Sequence, residues 1–190
     1  MNLVLLGPPG AGKGTQATAL AEHFQLVHIS TGDLFRNAIK AQTPLGREAQ
    51  KYLDKGHYVP DTLTNQMLFA FMKDGVPKKG FLFDGFPRNT DQCKALDTFL
   101  RERQSQIDLA PLLQVPENML VDRLLIRGRK DDSREIIQTR LSVYHAQTQP
   151  VLDYYAKQEL LEPVDGTGEV AAITERLIRA ISRRLLPTSK

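Results

Sequence analysis

The sequence predicts an α/β protein, a three-layer fold in which a five-stranded parallel sheet carries helices on both faces. Three observations predict it. Five short apolar segments alternate with helical sequence along the chain. The first segment runs straight into a glycine-rich turn that ends in a lysine and opens a helix. The length, 190 residues, suits one main domain with insertions and is enough to bury a substantial core.

The strands are expected at residues 2–6, 26–29, 80–83, 112–115 and 161–164. Pro111 has no N–H to give a ladder, so the fourth strand is started after it. Helices are expected at residues 13–24, 31–41, 45–55, 63–73, 90–103 and 117–127. The next helix opens at Asp132-Ser133-Arg134-Glu135, which has capping-box spacing with Asp132 as the cap. Pro150 should kink or break it before Tyr154. A final helix over residues 170–185 ends near Pro187, and its Arg176, Arg179, Arg183 and Arg184 read as a solvated face.

The turn after the first strand reads Gly7-x-x-x-x-Gly12-Lys13, the spacing of a phosphate-binding P-loop. Phosphates need convergent N–H donors, and Gly10, Gly12 and Gly14 let the backbone aim several at one centre. Lys13 then reaches the β- and γ-phosphates while the helix N-terminus adds partial positive charge. Gly14 stands where most P-loops carry Ser or Thr, and the hydroxyl comes one residue later at Thr15. Magnesium is therefore expected to arrive with the nucleotide, keeping several of its waters.

Composition narrows the remaining classes. Hydrophobic and charged contents of 41% and 25% are ordinary for a globular protein. No apolar run has the length of a membrane span, and the N-terminus lacks a signal pattern, so the chain is expected in the cytoplasm. Cys93 is the only cysteine, which leaves no disulfide framework and no zinc knuckle. The four histidines show no metal-ligand spacing. A net charge of +3 and a pI near 9.0 come without a basic block interleaved with aromatics, so no nucleic-acid partner is expected. No association surface is obvious, and a monomer is expected.

A second phosphate site is written downstream. Residues 29–36, ISTGDLFR, leave a strand and enter a helix, presenting Thr31 and then Arg36. Taken alone, the segment reads equally as an N-cap followed by a surface arginine. Residues 80–88, GFLFDGFPR, decide between the two. Asp84 closes a buried strand at the edge of the phosphate loop, where P-loop enzymes place the carboxylate that orients magnesium and its waters. Gly85 permits close backbone approach, Pro87 stiffens the turn, and Arg88 offers a planar fork suited to phosphate. Gln92 follows with an amide able to read a base edge.

Further arginines follow between residues 120 and 140. Arg123 and Arg127 share a helix face, Arg129 lies on a short charged crossing, and Arg140 sits on the helix behind it. Each phosphate monoester carries about −1.5 to −2 near neutral pH. One triphosphate plus one monophosphate would account for so many cations; a single site would not.

Together these motifs resemble the adenylate kinases, nearly end to end. The carrying segments are GPPGAGKGTQ at 7–16, STGDLFR at 30–36, FDGFPR at 83–88 with Gln92, RLLIRGRKDD at 123–132 and VDGTG at 164–168. The resemblance implies that Gly10, Ala11, Gly12, Lys13, Gly14 and Thr15 bind the ATP phosphates, with Arg123 and Arg127 on the ATP side. Gly168 would meet the ATP adenine through its backbone. AMP would be held by Thr31, Arg36, the backbone of His57, Tyr58 and Val59, then Gly85, Phe86, Pro87, Arg88 and Gln92. Arg129 and Arg140 would bridge the AMP phosphate and the transferring group, so that Lys13, Arg88, Arg129 and Arg140 form the catalytic set. Asp84 would reach Mg²⁺ through water, and ATP, AMP and ADP would be the partners.

The same resemblance implies a single kinase domain: a core of residues 1–29, 60–126 and 135–190, an AMP-binding insertion at 30–59 and a lid at 127–134. Long-lid relatives carry roughly thirty more residues there, sometimes with four zinc cysteines. A short lid without structural zinc is expected here. A UMP/CMP kinase of related frame is the alternative enzyme, which Thr31 and Gln92 count against. A GTPase-like switch would need a guanine-reading Asn-Lys-x-Asp, which does not occur.

Overall fold

The computed structural model describes residues 1–73, 77–129 and 132–185. Five parallel strands are present: β1 (Leu3–Leu5), β2 (Val27–Ser30), β3 (Phe81–Asp84), β4 (Ala110–Gln114) and β5 (Leu161–Asp165). Between them run α1 (Lys13–Phe24), α2 (Thr31–Lys40), α3 (Pro44–Leu53), α4 (Asp61–Phe71), α5 (Thr90–Arg101) and α6 (Glu117–Arg127). The C-terminal part holds α7 (Arg134–Val143), a π-helical turn (Tyr144–Thr148), α8 (Gln149–Ala156) and α9 (Val170–Leu185).

Alternation along the strands builds two cores. Leu3, Leu5, Leu82 and Leu113 point to one face and pack with α1, α6, α7 and α9. Val4, Leu6, Phe81, Phe83 and Leu112 point to the other and pack with α4, α5 and α8. Strands buried on both faces need apolar residues at successive positions, which is why they read as unbroken runs in the sequence. A third, smaller cluster of Phe35, Ala49 and Val59, with Tyr52 and Leu53 against it, gives the 30–59 segment a core of its own.

The expectation of one five-stranded sheet needs correction. The strands form a three-stranded sheet in the order β1-β3-β2 and a two-stranded sheet of β4 and β5. Isolated parallel bridges, Leu3 with Leu109 and Leu6 with Leu112, join β1 to β4. Pro111 lies inside β4 rather than before it. Its carbonyl accepts from Leu6 N–H at 2.8 Å, yet proline has no N–H to return across the same seam. The ladder is interrupted there and nowhere deeper in the sheets.

Local corrections have equally plain causes. Ser133, not Asp132, caps α7 by accepting from Ile136 N–H, because the Asp132 carboxylate is held elsewhere. Helix α4 starts at Asp61, ahead of the expected residue 63, with Pro60 at its cap. Pro150 does not break the helix before Tyr154: helical backbone runs on from α7 through the π-helical turn into α8, and the irregularity falls in the π-helical turn just before the proline. Pro187 and lid residues 130 and 131 lie outside the described residues.

Candidate active site

The loop between β1 and α1 is shaped by left-handed glycines. Gly10 and Gly12 have φ of 87° and 93°, and a Cβ on Gly10 would stand 2.8 Å from the carbonyl oxygen of Leu120. No side chain caps α1, so none competes for its first N–H groups. Lys13 folds back over the loop, donating from Nζ to the carbonyls of Gly7 (2.7 Å) and Pro8 (2.9 Å). Desolvation brings its pKa down to about 8; Asp84 pulls the other way, and Arg88, Arg140 and Arg127 add to the fall.

Two cavities of about 710 and 730 Å³ adjoin at this loop. Each has the size of an ordinary small-molecule site. The second takes in all nine residues expected on the ATP side, from Gly10 through Thr15 together with Arg123, Arg127 and Gly168. The first is walled by Arg36, His57, Tyr58, Gly85, Phe86, Pro87, Arg88, Arg129 and Arg140 of the AMP set. Lys13, Arg36, Arg88, Arg129 and Arg140 border both. These cations therefore stand at the junction of the two cavities.

Three AMP-side residues stand behind the wall rather than on it. Thr31 is buried and donates its hydroxyl to the Gly85 carbonyl at 2.8 Å. Gln92 is buried; its Oε1 accepts from Arg88 N–H at 2.7 Å and its Nε2 donates to Asp61 Oδ1 at 2.6 Å. Val59 belongs to the small core, and its carbonyl accepts from Thr64. Arg36 reaches Asp33 with Nε and Nη2, at 3.2 and 2.6 Å.

Asp132 is the organising carboxylate that sequence reasoning missed. Its side chain is 1% exposed and accepts from Arg127 at 2.9 and 2.7 Å, from Arg140 at 3.0 Å and from the Arg129 N–H at 3.0 Å. Burial pushes its pKa up, but the Arg127 and Arg129 hydrogen bonds and the Arg127 and Arg140 charges outweigh that and hold it below the ordinary carboxyl value. Three arginines expected to act on phosphate thus share one anchor.

A family model described as adenylate kinase matches residues 5–160. The chain belongs to the adenylate kinase family. An adenylate kinase of Nocardia farcinica is 50% identical over 183 residues, covering 96% of this chain and all of that protein. One from Mycolicibacterium vanbaalenii is 48% identical with the same coverage, and one from Clostridium tetani is 40% identical over 208 residues, covering 93% and 96%. These likenesses do not favour a UMP/CMP kinase.

In this adenylate kinase family member, Asp84 ends β3 on the wall of the second cavity, with His28 Nε2 3.9 Å from its Oδ2. Among the described residues, no three His, Cys, Asp or Glu side chains gather to hold a metal. An ion bound mainly by phosphate and water would need no more than a carboxylate such as Asp84 beside it. Beyond the expected residues, Ile39, Gln50, Tyr144 and Thr148 also line the first cavity. Periodicity marks such residues only as ordinary helix, so nothing in the sequence singled them out. No helix among the described residues is long and apolar enough to cross a membrane.

Proposed function

We propose that the chain transfers the γ-phosphoryl group of ATP to AMP, reversibly and with Mg²⁺, giving two ADP. ATP would occupy the cavity over the glycine loop and AMP the cavity beside Arg88. The observation that supports this most is the row of cations common to both cavities. The bond from the γ-phosphorus to the β–γ bridging oxygen breaks as one forms to an oxygen of the AMP phosphate. That phosphate has its second pKa near 6 and is already mostly dianionic, so no general base is needed. Catalysis rests on in-line alignment and on charge held around the equatorial oxygens.

Lys13 would leave the Gly7 and Pro8 carbonyls to follow the γ-phosphoryl group. Arg88, Arg129 and Arg140 would neutralise charge at and around the acceptor, while Arg123 and Arg127 hold the ATP side. Magnesium, when bound, supplies Lewis-acid charge to the phosphates, and Asp84 would orient its waters. Arg36 would exchange Asp33 for the AMP phosphate. Thr31 and Gln92 would act from behind the wall by fixing Gly85 and Arg88. The 30–59 insertion and the short lid would close over both nucleotides and exclude water.

A coupled assay of ADP production with AMP, CMP and UMP in turn tests the assignment. AMP should be the preferred acceptor by a wide margin; a preference for CMP overturns it. A crystal with a bisubstrate mimic should place the recipient phosphate against Arg36 and Arg88.

A further inference from the structure

We propose that the Tyr58 side chain is a positioning residue for Arg88, gripping it at both ends. This rests on the assignment of Arg88 to the acceptor phosphate and adds a residue whose side chain that assignment leaves idle.

The Arg88 guanidinium carbon lies 4.4 Å from the centre of the Tyr58 ring, a cation–π contact. At the other end of the residue, the Arg88 carbonyl accepts from Thr148 Oγ1 at 2.9 Å. Thr148 Oγ1 lies 2.9 Å from the Tyr58 hydroxyl. A threonine hydroxyl has a single hydrogen, and here it is spent on the Arg88 carbonyl. Tyr58 must therefore be the donor to Thr148. Ring, hydroxyl, threonine and arginine close a circuit that crosses from the end of the insertion to the π-helical turn of the core.

The circuit fixes what a phosphate-binding arginine most needs, the plane of its fork. Arg88 Nε is already spent on the Gly85 carbonyl at 2.8 Å, so the two Nη groups form the end that meets phosphate. With the ring against one face and Nε tied, rotation about the terminal torsions is restricted before substrate arrives. That pre-organisation removes an ordering cost from the transfer step. Because Tyr58 closes the insertion and Thr148 belongs to the core, the same contact couples the position of the insertion to readiness of the fork.

The test is a double-mutant cycle on kcat and KM, with thermal midpoints recorded to show that each variant is folded. Tyr58→Leu should lower kcat about tenfold and raise KM for AMP severalfold, leaving KM for ATP unchanged. Tyr58→Phe keeps the ring and should lose only a few fold; Thr148→Val should lose at least as much, since it cuts the link to the Tyr58 hydroxyl and also the hydrogen bond to the Arg88 carbonyl. In an Arg88→Lys background, which has no planar fork, Tyr58→Leu should cost nothing further in kcat. Unchanged kcat and AMP KM in Tyr58→Leu overturn the proposal, as does an equal loss in both backgrounds. Should Tyr58→Leu fail to fold, wild-type kcat in both Tyr58→Phe and Thr148→Val overturns it. Near-normal turnover of Arg88→Lys alone is a different result: it removes the assignment of Arg88 itself.

Discussion

Lys13 shows how a site residue costs the fold that carries it. Its amine is buried among Arg88, Arg127 and Arg140, and its pKa stands near 8 against an ordinary 10.5. The unfolded chain therefore binds more protons between those values, and stability rises with pH across that window. Below pH 8 the folded protein holds an unfavourably placed charge. Relative to Lys13→Met, the wild type should gain on the order of 2–3 kcal/mol between pH 7.5 and 10.5, measured by urea unfolding. A gap that stays constant with pH would contradict the burial of that charge. Arg88 makes the complementary point about shape. Arg88→Lys keeps the charge and loses the fork, so kcat should fall at least a hundredfold by steady-state assay.

At the scale of elements, one carboxylate ties α6, the lid and α7 together. Asp132 is almost fully buried, while Arg127 and Arg140 retain 31% and 20% exposure. Asp132→Asn should destabilise by about 2–3 kcal/mol, somewhat under the cost of breaking a wholly buried pair because the arginines keep access to water. The depressed carboxyl pKa sets the sign of the pH dependence. The stabilisation is full above the ordinary value of 3.8 and is lost as pH falls through the lower folded value. Unfolding midpoints of the two proteins should therefore differ at pH 6 and converge in acid. The arginines would also lose registry, and kcat should drop by about a hundredfold.

The sequence carried helices α1 and α6 to the residue, because each has a clean signal at both ends, and it carried the start of α9. Lys13 follows a glycine turn, Glu117 follows Pro116, and Gly128 in the left-handed conformation stops α6. It misassigned the cap of α7 because Asp132 and Ser133 are both good caps. Which one is free for the task depends on where Arg127 and Arg140 point. It also began β4 one proline too late: Pro111 is tolerated because its strand meets β1 at a broken seam rather than in a full ladder.

For the whole molecule, the consequential feature is that two cavities meet on a shared row of cations contributed by α1, α2, the turn after β3, the lid and α7. Elements that come in from both sides of such a junction would screen two anionic ligands from water and strengthen every charge contact there. A label on the insertion and another on the core should move closer when a bisubstrate mimic is added, read as a change in energy transfer. An unchanged separation would mean that the site works without closure.

The sequence by itself determined the glycine loop, the helical crossovers, the approximate positions of the strands and the cations that gather between the two cavities. Those properties are local: they follow from backbone freedom, apolar periodicity and charge at fixed spacing. Only the tertiary structure decided that Asp132 anchors the arginines, that Tyr58 and Thr148 hold Arg88, and that Thr31 and Gln92 brace the wall from behind. Each of these is a contact between residues distant along the chain or a choice between equally competent side chains. Hydrogen-bond partners and burial settle such choices, and neither exists until the chain has folded.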